Sequence, residues 1–119
     1  MLVDDDKQVR TTLRRYLERR GWLVLEAESA EMALQLLVRD AVRVDVVLVD
    51  MHLGGITGSE LCAKIAEHRP ALVKRLIVAS GDALTALEEM VRASLPCPVL
   101  AKPFELDELD RLLDDVVAA

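Results

Sequence analysis

The sequence predicts a doubly wound α/β domain, a five-stranded parallel sheet with helices on both faces. Three observations carry that prediction. Five short apolar runs do not alternate with polar residues, a helical apolar period fills each interval between them, and 119 residues give room for one hydrophobic core. The chain is accordingly read as one domain spanning residues 1–119.

The apolar runs cover residues 1–3, 22–25, 44–49, 76–79 and 98–101. Their Val, Leu and Ile content without alternation is that of parallel strands covered on both faces. Between them the apolar period becomes helical. Val9, Leu13, Tyr16 and Leu17 form one stripe, and Ala30, Ala33, Leu34, Leu37 and Val38 a second. Leu61, Cys62 and Ile65 mark a third helix; Leu84, Leu87 and Val91 mark a fourth. Leu106, Leu109, Leu112, Leu113, Val116 and Val117 mark a fifth. Gly21 follows the first helix, Ser29 and Asp82 stand at N-cap positions, and Pro70 stops the third helix. Strand–helix–strand units of this kind require right-handed crossovers, a rule that several strand orders satisfy.

Composition narrows the function classes. A net charge of −6 and a pI near 4.9 argue against direct nucleic-acid binding. No apolar run approaches the roughly 20 residues of a membrane helix. Cys62 and Cys97 lack metal or redox spacing and read as reduced thiols, so a cytoplasmic location is the expectation. Aromatics make up only 3% of the chain, so the core must be aliphatic. Met32, Met51 and Met90 read as packing residues, and Trp22 as structural.

A doubly wound sheet places its ligand outside the carboxyl ends of its strands. Those ends carry Asp4, Asp5 and Asp6 after the first run, Asp50 after the third, Ser80 after the fourth, and Lys102 with Pro103 after the fifth. Two carboxylates ~4 Å apart repel by about 4 kcal/mol at an effective dielectric near 20. A cluster of them calls for a cation or for protonation. Oxygen donors with no placed histidine or thiolate suit Mg²⁺. A hard cation beside a lysine and a hydroxyl is an arrangement for handling phosphoryl groups. The competing reading of residues 4–6 is an acidic cap on the first helix.

Four stretches in register resemble response-regulator receiver domains, the CheY-like family. They are Leu2-Val3-Asp4-Asp5-Asp6, Val46-Val47-Leu48-Val49-Asp50 with Gly58 beyond it, Ile77-Val78-Ala79-Ser80, and Ala101-Lys102-Pro103-Phe104. The resemblance implies a flavodoxin-like (βα)5 sandwich with strand order 2-1-3-4-5 and a cis Lys102–Pro103 bond. It implies Asp50 as phosphoacceptor, with Asp5, Asp50 and the backbone carbonyl of His52 ligating Mg²⁺ and Asp4 acting through water. Lys102 would pair with Asp50 and then with the phosphoryl group, and Ser80 would act as the switch hydroxyl. The implied partners are a sensor histidine kinase or histidine phosphotransfer domain as donor, and an output domain or partner protein. The domain would either stand alone or belong to a hybrid sensor kinase or multidomain regulator. The arginine-rich first helix, Arg10 and Arg14 above all, is the expected docking face for the donor. His52 and Asp82 are candidates for controlling water access to the phosphoaspartate.

Three departures from the family pattern stand out. Val99 replaces the common aromatic three positions before the lysine, Leu53-Gly54 replaces Met-Pro, and only three residues precede Asp4, as if the segment began within a longer chain. Two rival functions share the acid cluster: a pseudo-receiver that binds partners without phosphate, and a Mg²⁺-dependent phosphohydrolase. The second would need a substrate cap, for which the length leaves no room.

Overall fold

The computed structural model describes residues 1–118. Five strands form one parallel sheet in the order β2-β1-β3-β4-β5. They are β1 (Leu2–Val3), β2 (Glu26–Ala27), β3 (Val47–Asp50), β4 (Leu76–Ser80) and β5 (Val99–Ala101). The helices are α1 (Lys7–Arg19), α2 (Ala30–Leu34), α3 (Gly58–His68), α4 (Ala83–Arg92) and α5 (Leu106–Ala118).

The strands read as uniformly apolar because their alternate residues feed two separate cores. Val3, Val47, Val49, Leu76 and Val78 face α2, α3 and α4 with Leu37, Leu61, Ile65 and Met90. Leu2, Leu48, Ile77 and Ala79 face the opposite side with Leu17, Leu109 and Leu113 of α1 and α5. That is the sandwich the periodicity predicts. On its outside, Tyr16 of α1 donates to Asp110 of α5 at 2.5 Å, and Arg20 pairs with the same carboxylate at 3.3 Å.

The helix starts obey their capping residues. Asp6 accepts from the amides of Gln8 and Val9, Ser29 from Met32, Thr57 from Glu60, and Asp82 from Thr85. Gly21 follows α1 at φ +92°, where a side chain would be strained. α3 ends at His68, and Pro70 opens a 3-10 turn, Pro70–Arg75, that leads into β4. The Lys102–Pro103 peptide is cis. Both cysteines are free and buried.

Four expectations need correction. The second strand pairs at Glu26–Ala27, beyond the predicted run 22–25. That run lies at the sheet edge with one face covered, so Trp22 and Val24 pack inward while Leu23 is 97% exposed. The second helix changes after Leu34 into a π-helical turn, Gln35–Arg39. Met32 is exposed rather than packed. The stripe Leu84, Leu87 and Val91 is not the packing face of α4. Those side chains are 69%, 49% and 69% exposed, whereas Ala86 and Met90 are buried.

Candidate functional site

β1 and β3 are hydrogen-bonded neighbours in register, Leu2 with Leu48 and Val3 with Val49. Asp4 and Asp50 therefore leave adjacent strands at the same level. Carboxylate oxygens of Asp4, Asp5 and Asp50 all lie within 4.8 Å of one another. Lys102, just past β5, crosses the sheet end to place Nζ 3.1 Å from Asp50 Oδ1 and 3.8 Å from Asp4 Oδ2. Asp4, Asp5, Asp50 and Lys102 thus meet at one strand edge. Asp6 does not join them; its carboxylate caps α1. The acidic run therefore divides its labour between the pocket and the cap.

Three carboxylates against one ammonium leave a surplus of negative charge in a half-covered pocket. Burial pushes the Asp4 carboxyl above the usual aspartate range, with Asp50 and Asp5 adding to the effect and the Asp6 amide and Lys102 opposing it. The Asp6 amide donates to Asp4 Oδ1 at 2.9 Å. An oxygen-only donor set with surplus negative charge fits a hard dication such as Mg²⁺.

Loop geometry brings the acceptor strand round to α3. Gly58 donates its amide to the Met51 carbonyl at 2.7 Å, and His52 forms an antiparallel bridge with Thr57. A Cβ on Gly58 would lie 2.6 Å from the Asp50 carbonyl oxygen and 2.8 Å from Met51 Cα, so only glycine fits. Gly54, at φ +81°, passes close to Asp5 Oδ2. The His52 side chain is exposed on the rim, as is Asp82, whose carboxylate is held below its usual range by the Thr85 hydroxyl and amide, with His52 adding to the effect.

Ser80 ends β4 and is 1% exposed. Its oxygen accepts from the Asp82 amide at 3.0 Å, and its carbonyl accepts from the Lys102 amide at 2.8 Å. Among the described residues no hydrogen bond joins Ser80 to Asp50. The Ser80 O–H proton is not used in the contact with Asp82. Val99 is half-buried in β5.

Arg10 overturns one expectation. It is buried, donates to the Asp4 carbonyl at 2.6 Å and pairs with Glu26 at 3.2 Å. It is a strut between β1, α1 and β2 rather than a docking side chain. Arg14 is also engaged, with Glu26 at 2.6 Å and Glu18 at 3.3 Å. Sequence reasoning missed this because Glu26 lay outside the apolar runs it followed. Replacing Arg10 with Ala strands the Asp4 carbonyl and is expected to cost about 1–3 kcal/mol in chemical denaturation. A variant as stable as the parent would contradict that role.

A family model for the response regulator receiver domain matches residues 1–114. The chain belongs to that family. As a receiver domain it is a module of two-component signalling. It is 37% identical over 119 residues to the sensor histidine kinase AruS of Pseudomonas aeruginosa, covering 98% of this chain and 12% of that protein. Against the transcriptional regulatory protein GlrR of Escherichia coli K12 the identity is 31%, covering 98% of this chain and 26% of the other. The receiver thus spans only a minor part of the length of these curated relatives. Among solved structures, the signal receiver domain of an HD domain-containing protein from Pseudomonas fluorescens Pf-5 superposes with a TM-score of 0.85 at 27% identity, covering 98% and 84% of the two chains. A response regulator from Burkholderia pseudomallei, solved with a phosphorylated aspartic acid and a calcium ion, superposes at 0.81 with 29% identity, covering 98% and 66%. No helix among the described residues is long and apolar enough to cross a membrane.

Proposed function

We propose that this receiver accepts a phosphoryl group from a phosphohistidine on Asp50, in a Mg²⁺-dependent reaction, and passes the change on through Ser80 and Lys102. The observation that carries the reading is the meeting of Asp4, Asp5, Asp50 and Lys102 at one strand edge. Asp5, Asp50 and the His52 carbonyl are the ligands this reading assigns to Mg²⁺, with Asp4 acting through water. The bound ion would supply Lewis-acid neutralisation of the phosphoryl oxygens.

The protein's own groups do the rest. A carboxylate oxygen of Asp50 attacks phosphorus, a P–O bond forms as the P–N bond breaks, and the imidazole leaves with the electron pair. Lys102 already neutralises Asp50 at rest, and its Nζ can follow the charge onto the phosphoryl oxygens. Ser80 then donates its O–H to the new phosphate, drawing the β4–α4 turn with it. With a valine at position 99, no large ring is available to rotate, so the backbone of that turn carries the signal. The donor is a sensor histidine kinase or histidine phosphotransfer domain. Lys7, Arg15 and Arg19, all exposed on α1, offer its docking charge in place of Arg10. The exposed stripe of α4 is the surface offered to an output domain or partner.

Incubation with phosphoramidate, which shares the P–N bond, tests the reading. One phosphoryl group should appear in the intact mass when Mg²⁺ is present and not in EDTA. Uptake that ignores Mg²⁺, or no uptake in either condition, would count against it.

A further inference from the structure

A chain of hydrogen bonds runs from the acceptor loop to α4 without passing through Ser80. The Glu60 amide donates to Thr57 Oγ1 at 3.2 Å, Thr57 Oγ1 lies 2.9 Å from Ser59 Oγ, and Ser59 Oγ donates to Glu89 Oε2 at 2.9 Å. Ser59 has one hydroxyl proton, and Glu89 as a carboxylate can only accept it. The Thr57 hydroxyl must then donate to Ser59 whenever that link is made, in competition with Glu60 Oε1 at 3.3 Å. When it does, the donors run in one order from the start of α3 into α4.

Three features make this more than a surface contact. Ser59 is buried at 8% exposure, so its bond to the half-buried Glu89 is shielded and charge-assisted. Thr57 is tied to His52 by the antiparallel bridge, two residues beyond Asp50. Glu89 sits on α4 beside buried Met90, on the helix that exposes Leu84, Leu87 and Val91.

We propose that Thr57, Ser59 and Glu89 form a second line from the phosphorylation site to α4, so that displacement of the 52–57 loop on loading of Asp50 moves that helix without the Ser80 switch. The inference rests on the receiver reading above. It gives Ser59 and Glu89 a positioning role and leaves phosphoryl uptake to the pocket. It also supplies an output route that does not need an aromatic at position 99.

Amide chemical shifts of the ¹⁵N-labelled chain, with and without Mg²⁺ and beryllofluoride as phosphoryl mimic, provide the test. The parent should respond both at residues 51–57 and along α4. In Ser59→Ala and Glu89→Ala the loop response should persist while the α4 response falls by about half or more. Glu89→Gln, whose amide oxygen still accepts from Ser59, should retain most of it. An α4 response of parental size in Ser59→Ala and Glu89→Ala would overturn the coupling, as would a Glu89→Gln variant no better than Glu89→Ala. A parent that responds at neither place would overturn the receiver reading and this coupling with it.

Discussion

Replacing Asp50 with Asn is expected to reduce phosphoryl uptake from phosphoramidate to background while leaving the fold in place. The side chain is nearly the same size and only 12% exposed, so the pocket walls should hold. Chemistry changes far more than shape. A neutral amide is a poor nucleophile toward phosphorus, and the pocket loses one of the three carboxylates that would retain a dication. Lys102 keeps a neutral amide-oxygen acceptor at position 50 and the 3.8 Å ion pair with Asp4. Thermal melts in EDTA should place the variant close to the parent, because loss of the Lys102–Asp50 charge pairing is offset by relief of carboxylate repulsion. Persistent Mg²⁺-dependent modification of the variant would show that the acceptor lies elsewhere.

Gly58→Ala should have the largest effect on stability, a loss of about 3 kcal/mol in urea denaturation. The added methyl would meet the Asp50 carbonyl oxygen at 2.6 Å and Met51 Cα at 2.8 Å. Both are backbone atoms at the end of the strand that carries the acceptor, so no side chain can swing aside. Either α3 lifts from the sheet or the acceptor loop shifts, and each breaks the 2.7 Å bond from the Gly58 amide to Met51. Phosphoryl uptake should fall with stability. A change under about 0.5 kcal/mol would mean that the loop is softer than these contacts imply.

Much of the site was legible because its chemistry sits where apolar runs stop. Asp50 and Ser80 end their strands, Asp4 and Lys102 follow theirs by one residue, and parallel register brings strand ends together without further information. What failed to show was anything decided by edges or by small residues. Residues 22–25 look like a buried strand, yet they lie where only one face is covered, and pairing begins at Glu26. On α4 two helical stripes interleave, and the one built from Ala86 and Met90 faces the core, leaving Leu84, Leu87 and Val91 outside. Both stripes are apolar, so helical period alone does not choose between them. The roles of Arg10 and Ser59 depend on partners 16 and 30 residues away, Glu26 and Glu89. Local pattern carries no trace of such pairs.

The central claim is that Asp5 and Asp50 hold one dication beside Lys102. Mg²⁺ titration followed through the backbone amides of residues 4, 5, 50 and 102 tests it directly. The account predicts a saturable response confined to these strand ends and largely lost in Asp5→Asn. Titration curves that are flat, or identical in parent and Asp5→Asn, would contradict it.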